Sequence, residues 1–234
     1  MTACVVSPKG TKESAQFLAA SLDIDWKLTG MEDFSKYDHV INYGSRLPFT
    51  YKNVINSPEA VKICVNKLST LKRLHEECNT VEYTKDKEQA RLWFTEDGVV
   101  ISRALQESKQ GRGVTLCESM KQFEAAEAKF WTRYCHHTNE VRINVFRGKV
   151  LSIYDKRIEG GFFDFVNLKI TGEHPDVTKM VTTISKNIGI DYYGMDVLVD
   201  HSNTCHLLEI NSGPILHKET LKPLVRALKG AMNG

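Results

Sequence analysis

Residues 194–214 read Gly194-Met195-Asp196-Val197-Leu198-Val199-Asp200-His201-Ser202-Asn203-Thr204-Cys205-His206-Leu207-Leu208-Glu209-Ile210-Asn211-Ser212-Gly213-Pro214. Two apolar-rich runs, Gly194–Asp200 and Cys205–Asn211, flank a short polar stretch, which is the pattern of a β-hairpin. A tight turn centred on Ser202-Asn203 sets Asp196 opposite Glu209. Opposed residues in a sheet have Cβ atoms about 4.5–5.5 Å apart, so two carboxylates meet on one face. They repel unless a cation lies between them. Because side chains alternate along a strand, Asn211 shares the face of Glu209 and adds a neutral oxygen. Asp, Glu and Asn oxygens are hard ligands that suit Mg²⁺, which keeps several waters and is completed by substrate phosphates. The plainer alternative is a solvent-facing strand pair whose acidic ends align.

Working back along the chain, Glu140–Phe146 and Lys149–Asp155 flank Arg147-Gly148, a two-residue turn in which Gly148 supplies a positive φ. That turn pairs Phe146 with Lys149, Asn144 with Leu151 and Arg142 with Ile153, and leaves Val141, Ile143 and Val145 on the core face. Earlier still, Ser108-Lys109-Gln110-Gly111-Arg112-Gly113 joins the strands Val99–Ser102 and Val114–Leu116. It is a basic, Gly-containing loop whose N–H groups suit phosphate, although any turn can carry such glycines. It lacks the spacing of a P-loop and opens no helix.

The beginning of the chain reads as an α/β unit: strand Thr2–Ser7, helix Lys12–Leu22 and strand His39–Tyr43. Ser57 is the N-cap and Pro58 the first residue of a helix. Helical spacing continues through Val65–Cys78, then strand Val81–Tyr83, helix Asp86–Arg91 and, after the loop, helix Lys121–Lys129. The class is α/β (α+β), with three units expected at 1–57, 58–129 and 130–234.

The chain has 234 residues, 31 basic against 29 acidic, and 41% hydrophobic content. With a pI near 8.1 it lacks the strong basic excess of a dedicated nucleic-acid binder. No apolar run approaches the ~18–20 residues of a membrane span, and the start lacks a signal-peptide pattern, so a cytoplasmic location is expected. Six cysteines without a C-x-x-C pair read as reduced, mostly buried thiols. Cys135-His136-His137 has no second ligand pair at zinc spacing. His75, His136, His137, His201, His206 and His217 form no evident base or ligand set, and Trp26, Trp93 and Trp131 need no role beyond packing or a wall for a base.

Taken in order, Val65-Asn66-Lys67-Leu68, Val100-Ile101-Ser102-Arg103, Gly111-Arg112-Gly113-Val114, Glu140-Val141-Arg142, Lys156-Arg157 and the 194–214 hairpin resemble the ATP-grasp superfamily. The similarity is to its branch of ribosomal-protein S6 glutamate ligase-like carboxylate–amine ligases. It spans most of residues 57–232, and its specific part is Asp on one strand followed by Glu-x-Asn-x-x-Pro on the next. The resemblance implies two lobes clasping ATP, with a short α/β unit in front. It implies Asp196, Glu209 and Asn211 as ligands of Mg²⁺, with Mn²⁺ as a substitute, and Lys67 and Arg103 as phosphate contacts. Arg103 stands where Lys is usual, replacing a compact ammonium by a planar fork. Lys109, Gly111, Arg112 and Gly113 would form a phosphate loop closing as a lid. Backbone groups of Arg133 and Cys135 would meet the base, and Asn167 matches an Asn near the site. Arg142, with Lys156 and Arg157, would face the reacting phosphoryl and acyl groups.

The activity implied is ligation of a small-molecule, peptide or protein carboxylate to an amine through an acylphosphate, with no nucleic-acid or membrane partner. A small-molecule kinase or a non-catalytic ATP-binding module on the same scaffold would present the same motifs, because function belongs to the acceptor site. Taken singly, Lys67 reads equally as a surface lysine, Arg142 as one half of a cross-strand pair and Asn167 as a turn residue.

Overall fold

The computed structural model describes residues 2–30, 33–46, 53–107, 112–159, 162–167 and 174–233; of Lys218 and of the strand residues within 156–167 it describes the backbone alone. Among the described residues the strands form three sheets. The first is parallel, ordered β2 (Asp25–Leu28), β1 (Ala3–Ser7), β3 (His39–Asn42), β4 (Val54–Ile55). The second is antiparallel, ordered β5 (Tyr83–Thr84), β8 (Phe130–Arg133), β6 (Val100–Arg103), β7 (Val114–Cys117). The third, also antiparallel, is ordered β11 (Phe162–Asn167), β10 (Lys149–Glu159), β9 (His137–Phe146), β12 (Tyr192–Asp200), β13 (Cys205–Asn211). The helices are α1 (Lys12–Leu22), α2 (Pro58–Val65), α3 (Lys67–Leu74), α4 (Lys87–Asp97), α5 (Met120–Ala125), α6 (Pro175–Asn187) and α7 (Lys218–Asn233). Among the described residues no helix is long and apolar enough to cross a membrane.

The largest core lies on one face of the third sheet. Val141, Ile143 and Val145 of β9 pack there with Met195 and Val197 of β12, under Met180 and Ile184 of α6 and Ala60 and Cys64 of α2. A second core joins α1 and α7 to β1 and β3 and reaches Phe146 and Tyr192 of the third sheet. The junction is pinned by Asn56, 1% exposed and at φ 66°. Its Oδ1 accepts from the N–H groups of Asp191 (3.0 Å) and Tyr192 (2.8 Å), and its Nδ2 donates to the Tyr192 carbonyl at 2.7 Å. A buried amide satisfied in this way fixes one docking geometry, since any other leaves polar groups unpaired. All six cysteines are free, with five buried and Cys135 half-buried, as the thiol reading expected.

The expected continuation of helix from Val65 is interrupted. Asn66 adopts an extended conformation, φ −91° and ψ 99°, and its side chain accepts from the Ser69 N–H at 2.9 Å. Asn competes well for an N-cap position, so the chain stops α2 and starts α3 afresh, with Lys67 as its first residue. For the same reason the expected helix Lys121–Lys129 begins at Met120, capped by Ser119, and ends at Ala125. Ala126 is already extended, and the Lys129 N–H donates to the Arg103 carbonyl at 2.8 Å.

Each hairpin departs from the sequence expectation by one residue over part of its length. In the β9/β10 pair, Lys149 is opposite Phe146, but a bulge at Leu151 then sets Ser152 opposite Asn144 and Tyr154 opposite Arg142. The expected pairs Asn144–Leu151 and Arg142–Ile153 are therefore corrected. In the β12/β13 pair the turn is a three-residue loop, His201–Asn203, with Asn203 at φ 62° and the Asp200 N–H donating to the Thr204 carbonyl at 3.0 Å. The ladder near the turn is thus displaced from the expected pairing. A second bulge at Leu208 restores it, so Asp196 does face Glu209 and Gly194 faces Asn211.

Candidate functional site

The bulge at Leu208 decides which way Glu209 points. Leu207 and Ile210 are both buried in the core of the third sheet, at 0% and 4% exposure. Two core-facing residues three apart on a strand require one extra residue between them. With Leu208 as that residue, Glu209 and Asn211 turn to the face opposite the core, where Arg142, Asn144 and Asp196 stand. That face looks across a cleft toward the second sheet. Residues 79–82 join the two sheets: the Val81 N–H donates to the Leu207 carbonyl at 3.1 Å and the Arg133 N–H to the Glu82 carbonyl at 3.0 Å. The floor between them is apolar, made by Leu68, Leu71, Val81, Phe130 and Leu198, with Leu208 packed against it.

Two carboxylates and three cations meet in the cleft. Asp196, 1% exposed, takes the Arg142 guanidinium in a two-point contact, Nε to Oδ1 and Nη2 to Oδ2 at 2.9 Å. Lys67 Nζ, at the start of α3, lies 2.5 Å from Glu209 Oε2. Burial pushes the Glu209 carboxyl up, but Lys67 and the Asn211 amide outweigh it and hold the group below the usual carboxylate range. Burial likewise pulls the Arg142 pKa down, and Asp196 more than restores it. Asn211 Nδ2 donates to Glu209 Oε1 at 3.1 Å, which leaves the Asn211 carbonyl oxygen directed elsewhere. Two carboxylates and an amide oxygen form a hard donor set that fits a small divalent cation.

Arg103 is the third cation. It ends β6, is 6% exposed, donates from Nε to Thr132 Oγ1 at 3.1 Å and lies over the Phe130 ring, 5.8 Å from its centroid. Among the described residues no carboxylate pairs with it. Burial pulls its pKa down, against the attraction of Glu209. The roots of the following loop sit beside Lys67: the Lys67 N–H donates to the Gln106 carbonyl at 3.0 Å, and the Ala104 N–H to the Gly113 carbonyl at 2.8 Å. Gly113 is at φ +69°, and a Cβ there would meet Leu105 Cγ at 3.0 Å, so this root of the loop needs glycine. A buried guanidinium that pairs with no carboxylate of the described residues, a lysine and a loop root on one side, facing a hard oxygen set on the other, suit a phosphate chain bridged by a cation.

Neither a protein-family model nor a curated protein sequence matches the chain. Solved structures do. The ATP-grasp ligase PsnB complexed with a minimal precursor superposes at TM-score 0.72 with 16% identity, covering 99% of this chain and 99% of that one. D-alanyl-alanine synthetase A from Vibrio cholerae gives 0.72 at 12% identity, over 100% and 99%. A RimK domain ATP-grasp protein from Sphaerobacter thermophilus gives 0.68 at 12%, over 96% and 98%. The chain has the ATP-grasp fold.

The ATP-grasp cleft thus gathers Lys67, Arg103, Arg142, Asp196, Glu209 and Asn211. Other residues singled out in the sequence stand differently. The Arg133 N–H is committed to the Glu82 carbonyl, which leaves its own carbonyl as the backbone group for the expected base contact; its side chain is bound to Asp97, Glu82 and Glu96 at 2.6–3.2 Å. The Cys135 carbonyl meets His137 Nδ1 at 2.8 Å. Arg112 is exposed, while Lys109 and Gly111 lie outside the described residues, and so does most of the expected lid. Lys156, Arg157 and Asn167 are placed in β10 and β11 by their backbones, their side chains lying outside the described set.

The ATP-grasp cleft also holds residues that sequence reasoning missed. Asn144 Nδ2 donates to Ser152 Oγ at 3.1 Å, Ser152 to Thr220 at 3.4 Å and Thr220 to the Tyr154 hydroxyl at 2.8 Å. His217 lies beside Tyr154, 6.5 Å between ring centroids, and burial pulls its pKa down. Ser152 and Tyr154 were hidden by the Leu151 bulge, which no residue pattern announces. Gly194 was quoted only as the start of its strand; a Cβ there would come within 3.0 Å of Arg142 Cδ and of Pro214 Cβ, so glycine admits the arginine to Asp196. Against the same loop, the Tyr43 hydroxyl donates to the Pro214 carbonyl, tying the first sheet to the rim of the cleft.

Proposed function

We propose that the protein is an ATP-dependent ligase that joins a carboxylate to an amine or comparable nucleophile, converting ATP to ADP and phosphate through an acylphosphate. The observation that carries the proposal is the convergence of Lys67, Arg103 and Arg142 on Asp196 and Glu209. These five side chains carry one net positive charge and suit a polyanion accompanied by a divalent cation. Structures of PsnB hold Mg and ADP, or a precursor peptide with AMPPNP, and support the same ligand classes here.

In this reading Asp196, Glu209 and Asn211 hold Mg²⁺ (Mn²⁺ as a substitute), which would neutralise charge on the β- and γ-phosphates. Lys67 leaves Glu209 for phosphate oxygen, and Arg103 receives the counter-ion its burial leaves wanting. The substrate carboxylate oxygen attacks the γ-phosphorus, and the bond to the β-phosphate oxygen breaks to release ADP. The nucleophile then attacks the acyl carbon, phosphate leaves, and the proton passes to phosphate or water. Arg142 offsets charge on the tetrahedral intermediate, assisted by Lys156 or Arg157, and the 108–113 loop excludes water. The base is assigned to the apolar floor of Phe130, Leu198 and Leu208, against backbone groups of Arg133 and Cys135, with Asn167 as a further nucleotide contact. The units 1–57, 58–129 and 130–234 are proposed as the acceptor-side unit and the two lobes.

The test is end-point analysis with Mg-ATP and pools of amino acids, peptides and polyols, measuring ADP, inorganic phosphate and acceptor mass together. Equal ADP and phosphate with a condensed product is expected. ADP without phosphate, with an acceptor heavier by one phosphoryl group, would identify a kinase and overturn the proposal; so would the absence of any product across the pools.

A further inference from the structure

At the turn end of the β12/β13 hairpin, away from the cleft, three different ligand types stand together. His174 caps α6, Asp176 lies in its first turn and Cys205 opens β13; one ligand atom from each lies within 4.8 Å of the others. The individual contacts are His174 Nδ1 to Cys205 Sγ at 3.7 Å and to Asp176 Oδ2 at 3.9 Å. A tetrahedral zinc site with bonds of about 2.0–2.3 Å has ligand-to-ligand edges of roughly 3.3–3.6 Å, so the cluster needs to contract only slightly.

Two features fix the ligands from behind. His174 Nε2 lies 3.0 Å from the Asn203 carbonyl, which accepts only from an N–H. The Asn203 amide nitrogen lies farther from Nε2, at 3.3 Å; with the Nε2 proton directed at the nearer carbonyl, the Nδ1 lone pair faces the thiol and the carboxylate. The Cys205 N–H donates to Asp176 Oδ2 at 2.9 Å and orients that carboxylate. Cys205 is 2% exposed, while His174 and Asp176 are half-buried, which leaves solvent access on one side for a fourth ligand.

We propose that His174, Asp176 and Cys205 bind one zinc ion, with water in the fourth position. One imidazole, one thiolate and one carboxylate make a borderline set that suits Zn²⁺ and excludes Mg²⁺. Binding replaces the thiol proton of Cys205, which passes to the buffer. The ion fastens the start of α6 to the hairpin that carries Asp196 and Glu209, about 13 Å along β13 from Glu209 at a strand rise of ~3.3 Å per residue. It is independent of the oxygen ligands in the cleft.

Cobalt(II) titration of the intact protein under anaerobic reducing conditions tests this. The wild type is expected to show a thiolate-to-cobalt charge-transfer band and tetrahedral visible bands at one equivalent, both bleached by Zn²⁺. Cys205→Ser should lose the charge-transfer band although five other cysteines remain. His174→Ala should weaken Zn²⁺ binding by more than about 100-fold, beyond the loss typical of an outer-shell partner. Metal-free melting temperatures of the variants, matched to metal-free wild type, show that folding is retained; His174→Ala, the half-buried position, keeps the test open where Cys205→Ser folds poorly. No charge-transfer band in wild type, or one that persists in both variants, would overturn the site.

Discussion

Two arginines stand at opposite ends of the same β6/β8 ladder, where Arg103 pairs with Phe130 and Val100 with Arg133. Their surroundings are opposite too. Arg133 is half-exposed and ringed by Asp97, Glu82 and Glu96; Asp97 and then Glu82 hold its pKa above the usual arginine value against desolvation. Arg103 is buried, pairs with no carboxylate of the described residues and has its pKa pulled down. One end of the ladder closes its charge within the protein. The other leaves a charge open toward the cleft, and a buried charge without a partner is costly unless a ligand supplies one. The cation that looks least satisfied is therefore the better guide to function, whereas a dense ion-pair cluster marks a structural clasp.

The contrast is breakable. Arg103→Met keeps the stem and removes the charge; it should lower ATP turnover by about 10²–10³-fold, the scale of one lost electrostatic contact, while the ligand-free melting temperature stays level or rises. Steady-state ADP release and calorimetry check the two halves, and a clear fall in the ligand-free melting temperature with unchanged turnover would reverse the assignment. Arg103→Lys should lose only about tenfold in turnover, since it keeps the charge and loses the planar fork. Arg133→Met should do the reverse of Arg103→Met. Turnover should hold within about twofold and stability should fall by about 1–2 kcal/mol, or about 2–8 °C in melting temperature, as several surface pairs are lost.

The smallest effect concerns pH. Hydrogen bonding from Arg133 holds the Asp97 carboxyl below its ordinary value, with burial opposing. Its contribution is present above the unfolded pKa near ~3.9 and is lost as pH falls through the lower folded value. Asp97→Asn should therefore flatten the acid limb of stability below about pH 4 and leave turnover at neutral pH unchanged; melting curves from acid to neutral pH decide it.

How much of this was legible in the sequence divides along the same line. Ser57-Pro58, Lys12–Leu22 and the β6–β7 pair follow from capping, periodicity and alternation, and the structure keeps them. The pairing of Asp196 with Glu209 was also read, but through two departures that cancel, a longer turn and the Leu208 bulge. The β9/β10 hairpin has one bulge and no compensating change, so Tyr154 and Ser152 escaped notice. Bulges are tertiary choices, made where two sheet faces must each receive the right side chain, and an apolar Leu at either position is silent about them. The carboxylate ring around Arg133 was equally invisible, because Glu82, Glu96 and Asp97 reach it from separate elements.

The most direct test of the central claim is titration calorimetry of AMPPNP with and without Mg²⁺, on the wild type, Glu209→Gln and Arg133→Met. Mg²⁺-dependent binding is expected in the wild type and in Arg133→Met, and loss of that dependence in Glu209→Gln with the fold intact by circular dichroism. Equal binding in all three proteins, with Mg²⁺ making no difference, would contradict it.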